Sequence, residues 1–122
     1  MEEPISILSD IKKSLGIGID DPSFDDELLL HIDASFGDID QIGAPVVASP
    51  VTKDATWDQK LLDVVPGTSG YALIRSYVFL NVKMLFDPPA PSTLGTYTDT
   101  SHRMLWRIQL EYSKGDPDGD TN

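Results

Sequence analysis

Carboxylates are the residues of this chain most numerous among those able to do chemistry. Asp20, Asp21, Asp25 and Asp26 fall in one short stretch. They could hold a cation or serve as an acid/base pair. The plainer reading is negative charge at a helix N-terminus, where the backbone dipole favours it, together with solubility. Asp116-Pro117-Asp118-Gly119-Asp120 places Asp at alternate positions, as a calcium loop does. Such a loop needs glycine at its sixth position and Glu at its twelfth. Here the glycine comes fourth, and no such Glu follows before Asn122. His31 and His102 are isolated histidines, with no H-x-x-x-H pair. Gly16-Ile17-Gly18 opens a nucleotide-binding glycine pattern that fails, since Asp21 occupies the place of the third glycine. The serines form no G-x-S-x-G elbow. No nucleophile is paired with a base. The sequence therefore assigns no catalytic, cofactor-binding or metal-binding residue, and an enzyme is the least supported class.

The elements that position these residues read as helices. Ile7, Leu8, Ile11 and Leu15 form one apolar stripe, with Ser6 as its cap and Gly16 as its stop. Lys12 and Lys13 fall in its last turn, where positive charge is favoured. A second helix follows a loop at 16–23. Ser23 and Asp26 match a capping box, Leu28, Ile32, Phe36 and Ile39 share one face, and Gly43 and Pro45 end it. The opposite face carries Asp26, Asp33 and Asp40.

The stretch 44–70 is broken by Pro45, Pro50 and Pro66. It reads as a long irregular segment, with room for a small β-hairpin at Val46-Val47 and Val51-Thr52. Trp57, Leu61 and Leu62 form an apolar turn suited to docking on the core. So long a loop in a compact domain points to a functional or partner-ordered segment. A polar linker is expected at 90–100, a last helix at 101–113, and a solvated acidic tail at 115–122. In that last helix Leu105, Ile108 and Tyr112 share a side, with Trp106 near them. The fold class is mainly α: one helical domain over residues 1–114, a bundle of about four helices, and the flexible tail.

Nine Lys and Arg against twenty Asp and Glu give a net charge of −11 over 122 residues. Such a surface repels phosphate and opposes a grip on nucleic acid, yet suits a wall past which DNA slides. With no cysteine, disulfides and thiolate metal sites are excluded. Met1-Glu2-Glu3-Pro4 has no signal-peptide character, and no apolar run spans a bilayer, so no membrane partner is expected.

Tyr71–Pro89 carries the most information. Tyr71, Ile74, Val78, Val82 and Leu85 recur at helical spacing, and Leu73, Tyr77, Leu80 and Met84 recur beside them. A helix apolar over so much of its circumference is covered on several sides, by its own core or by another subunit. Aromatic side chains are numerous, among them Phe36, Trp57, Phe79 and Trp106, and some are expected on an interaction surface. The face Leu73, Tyr77, Leu80 and Met84, the exit Phe86-Asp87-Pro88-Pro89, and the tryptophans Trp57 and Trp106 are the candidate interaction residues.

The same residues carry a resemblance. S-I-L-S-D-I-K-K-S-L-G-I at 6–17, D-D-P-S-F-D-D-E-L-L-L-H-I-D-A-S-F at 20–36 and I-D-Q-I-G at 39–43 resemble the opening of head–tail connector (adaptor) proteins of long-tailed bacteriophages. Ile74–Pro89, an aromatic-rich helix closing on L-F-D-P-P, is similar to that family's central helix. Trp106-Arg107 and the isolated Trp57 fall where the family has similar residues. The resemblance covers roughly 6–112. It departs at 90–103, where Pro91, Gly95 and Thr96-Tyr97-Thr98 are expected to shorten the last helix.

The resemblance implies a helical virion protein at the head–tail junction, assembled in the bacterial cytoplasm. It implies a ring of copies, twelve to match the portal, lying under the portal protein and presenting a platform to the next neck protein. Double-stranded DNA would only pass through the channel. Two other readings compete: a head-closure or tail-terminator neck protein, which would be richer in strands, and a small helical regulatory protein that binds a host factor.

Overall fold

The described residues form five helices: α1 (Ile7–Leu15), α2 (Asp25–Gln41), α3 (Trp57–Lys60), α4 (Ser69–Phe86) and α5 (Pro91–Ser113). They come from a computed structural model that describes residues 5–47, 50–61, 64 and 68–113. Leu62, the tail at 115–122 and its Asp116–Asp120 pattern lie outside the described residues. The protein is mainly helical, with no strand among those described.

α4 is the central rod. It packs on α2 and on α5, and more lightly on α1, while α2 and α5 contact each other far less. Its inner face is Ile74, Tyr77, Val78 and Val82, each almost fully buried. α1 adds Ile7, Leu8 and Ile11, α2 adds Leu28, Ile32, Phe36 and Ile39, and α5 adds Ile108. α4 and α5 run antiparallel, joined by the turn at 87–90. At the far end of that pair a Cβ on Gly70 would collide with the Tyr112 hydroxyl, so the bare glycine makes room for the Tyr112 side chain.

The ends of α1 are as the sequence predicts. Ser6 Oγ accepts from the Ser9 N–H at 3.1 Å, and Gly16 closes the helix at φ 77°. α2 starts differently. The Ser23–Asp26 capping box does not form, and Phe24 is the N-cap with no side-chain bond. The Ser23 N–H is instead taken by Asp21 Oδ1 at 3.0 Å, in a local turn that precedes the helix. Bonds from the Ser23 hydroxyl first, and then from its amide, hold the Asp21 carboxyl below its ordinary pKa.

The middle segment contains no hairpin among its described residues. A single bridge links Ser6 and Thr56. The amides that a ladder would need are committed elsewhere: Val51 N–H to Asp33 Oδ1 at 2.7 Å, and Val47 N–H to the Lys60 carbonyl at 2.8 Å. α3 docks as expected. Thr56 and Gln59 cap it reciprocally, and Trp57 and Leu61 are buried.

The linker expected at 90–100 is helix. α5 begins at Pro91 and runs 23 residues, about 35 Å at 1.5 Å per residue. Pro91 occupies the first helical position, where its missing N–H is not needed. Ala90 O accepts from the Thr93 and Leu94 amides at 2.9 and 3.0 Å. The threonine hydroxyls fold back on the helix, Thr100 Oγ1 donating to Thr96 O at 2.8 Å.

One buried charge ties α1 to α2. Lys12 turns inward, 3% exposed. Its ammonium donates to Ile19 O at 3.0 Å, Asp21 O at 2.7 Å and Asp25 Oδ1 at 2.8 Å. Three donors meet three acceptors, so the charge is satisfied. Lys12→Met leaves Asp25 and two carbonyls without this partner, and should cost about 3 kcal/mol by urea unfolding. Adding Asp25→Leu should recover part of that loss. Gly95 has open space around its would-be Cβ. Gly95→Ala should add up to about 1 kcal/mol of stability and some helical ellipticity. No change in either would return 90–100 to a linker.

Candidate interaction surface

The predicted interaction residues divide between interior and surface. Tyr77 is 2% exposed and Trp57 6% exposed. Leu73 is half-buried and packs on the core. Leu80 and Met84 are half-exposed and border separate hollows. Leu80 shares a shallow hollow of about 330 Å³ with Ser14, Ser76, Phe79 and Lys83, between α1 and α4. Met84 lines one of about 370 Å³ with Tyr77, Asn81, Ser101 and Leu105, where α2, α4 and α5 meet. Trp106 is 59% exposed.

Trp57 is held from every side. Its indole N–H donates to Asp10 Oδ2 at 2.8 Å, and Arg75 reaches the same oxygen at 3.0 Å. The Arg75 guanidinium lies 5.2 Å from the indole ring and 5.9 Å from Phe79. Phe36 and Phe79 rings stand 6.0 and 5.7 Å from it. Trp57 thus fastens the middle segment to α1, α2 and α4. Lys60, the last residue of α3, is buried over Phe36 and donates to the Val47 carbonyl. Burial lowers its pKa, and Asp33 and Asp40 work against that.

Two polar contacts fix the register of α4 on α2. The Tyr77 hydroxyl donates to Asp38 Oδ2 at 2.8 Å. Asn81 Nδ2 donates to Ser35 Oγ at 2.9 Å, and the Ser35 hydroxyl donates in turn to His31 O. Burial first, and then the bond to Asp38, push the Tyr77 phenol well above its ordinary pKa.

The exit of α4 is built as a stop. The Asp87 N–H bonds to Lys83 O at 2.8 Å, and its carboxylate lies 3.6 Å from the Lys83 ammonium. Pro88 and Pro89 cannot extend the helix. Phe86 meets Phe24 edge-on at 5.2 Å between ring centres. Phe24, 40% exposed, extends the apolar surface at this end of the bundle.

The outer face of α5 differs from the sequence expectation. Trp106 lies away from Leu105, Ile108 and Tyr112, because 200° of helix rotation separates it from Ile108 at 100° per residue. One turn on, Leu110 is 45% exposed, and Arg103 and Arg107 flank the pair, both exposed. Leu30 on α2, 68% exposed, and Leu94 on α5, 41% exposed, were also absent from the predicted set. Trp106 and Leu110 at i, i+4, opposite Ile108, are the pattern that would have revealed this face.

Among the described residues no group of three His, Cys, Asp or Glu could hold a metal ion, and no helix is long and apolar enough to cross a membrane. The fold is that of a small, mainly helical protein. Residues 7–115 match the family of phage connector proteins, from the first residue of α1 to just past the end of α5. The chain belongs to that family, which is one of structural proteins. No curated protein and no solved structure matches it.

The Tyr77 contact sets a pH dependence. A phenol whose folded pKa is raised contributes stability that is complete below its unfolded value near about 10 and is lost as pH rises beyond it. Tyr77→Phe should cost about 1 kcal/mol at neutral pH and flatten the alkaline loss of stability. Tyr71 and Tyr112, raised in the same direction by burial, leave a smaller slope. An unchanged alkaline limb in urea titrations at several pH values would contradict the assignment.

Proposed function

We propose that this protein is a head-to-tail connector (adaptor) of a tailed phage. Copies of it form a ring under the portal, twelve to match the portal's symmetry. The ring joins the filled capsid to the next neck or tail protein and leaves a passage for DNA. The observation that carries this reading is the family match, which spans every helix of the fold.

The physical features agree with it. Function resides in surfaces, since the interior polar groups are spent on holding helices together. The stiff α4–α5 pair ending on Phe86-Asp87-Pro88-Pro89 gives each subunit a rigid edge. Leu80, Met84, Trp106 and this exit are the contact residues, while Leu73, Tyr77 and Trp57 support them from within. A net charge of −11 keeps a channel wall from holding the DNA that passes it.

Deleting the gene from the phage should leave filled heads without tails, and supplying the chain should restore infectious particles. Normal tailed particles in its absence would overturn the reading. Leu80→Asp, on a half-exposed side chain, should cost no more than about 1 kcal/mol of stability and still abolish complementation.

A further inference from the structure

The outer face of α5 brings exposed apolar and basic side chains together in this acidic chain. Trp106 and Leu110 are 59% and 45% exposed. Arg103 and Arg107 beside them form no ion pair among the described residues, whereas Lys12, Lys53, Arg75 and Lys83 each reach a carboxylate. The helix is held to the bundle from its opposite side, through Ile108 and Ser101.

α2 presents the complementary surface. α2 carries no Lys or Arg, and of its six carboxylates Asp25, Asp33 and Asp38 are spent inside the subunit on Lys12, the Val51 amide and Tyr77, which leaves Asp26, Glu27 and Asp40 exposed. Asp26, Glu27, Leu30, Ala34 and Gly37 are exposed along the face turned away from α4. Leu30 is 68% exposed, and nothing stands within 4 Å of a would-be Cβ on Gly37. The surface is therefore a low apolar floor with a strongly acidic end. Because α2 and α5 both pack on α4 and little on each other, these faces belong to different sides of the subunit. Two unlike patches that match each other generate a head-to-tail series, which closes into a ring when the rotation permits.

We propose that the occupant of the α5 outer face is the α2 outer face of a second copy of this chain. Trp106 and Leu110 seat against Leu30, Ala34 and Gly37, and Arg103 and Arg107 meet the acidic end at Asp26 and Glu27. The inference rests on the ring reading above and names the contact that would build that ring. Opposite charge selects the partner face and opposes like pairing of α2 with α2.

The test is assembly of the purified chain with the phage's portal protein, measured by sedimentation. Wild type should form a defined ring, weakened as added salt screens the charges. Arg103→Glu with Arg107→Glu should keep the ellipticity and unfolding midpoint of wild type and lower the affinity for assembly at least about tenfold, a change of 1.4 kcal/mol. Adding Asp26→Lys and Glu27→Lys to that variant should restore assembly. Gly37→Gln, which fills the floor with a good helix former, should fold and fail to assemble.

If these variants assemble like wild type, the proposed contact is wrong and the ring reading stands. If they form rings but no longer hold the portal, the α5 face belongs to the portal and this proposal is overturned. If wild type forms no ring with or without portal, the ring reading itself fails.

Discussion

The burial of one face of α4 between α2 and α5 is the constraint on which the rest of the structure depends. Ile74, Val78 and Val82 are fully removed from water there, each contributing roughly 1.5–3 kcal/mol on full burial. Every polar group drawn into that packing needs a partner, and the partners set the geometry. Tyr77 finds Asp38 and Asn81 finds Ser35, so α4 cannot slide along α2 without breaking both bonds. Lys12 does the same for α1 and the loop that leads into α2. With those three helices fixed, α5 has one way to lie, antiparallel to α4 through Ile108.

How much of this was legible depended on whether a signal was local. The Ser6 cap, the Gly16 stop, the stripe of α2 and the exit of α4 follow from residues within a turn or two of each other, and the structure has them. The start of α5 was misread because Pro91, Gly95 and the threonines lower helix propensity. Proline at the first helical position carries no penalty, however, and packing of the later turns sustains the earlier ones. The capping box at Ser23 matched in spacing alone, and Asp21 competed for the same amide. Lys12 looked like a surface residue favoured by the helix dipole. Its burial depends on Asp25 and two loop carbonyls that sequence spacing does not bring together.

The interaction surface was legible in part for the same reason. A sequence shows that α4 is apolar on nearly every side, and the fold shows which side is spent. Tyr77 and Trp57 are interior, Leu73 borders the core, Leu80 and Met84 reach solvent, and Leu85 is 46% exposed at the end of the helix. Much of the coverage expected from other subunits is supplied within the chain by α2, α5 and the Trp57 segment. Apolar surface is also left uncovered on α5, where Trp106 and Leu110 face outward.

Electron cryomicroscopy of the intact head–tail junction tests the central claim most directly. The account predicts a ring of this chain under the portal, coaxial with the DNA channel, with the same two unlike faces in contact around it. Density for the neck that has no place for five such helices per subunit, or the chain found elsewhere in the particle or in none, would contradict it.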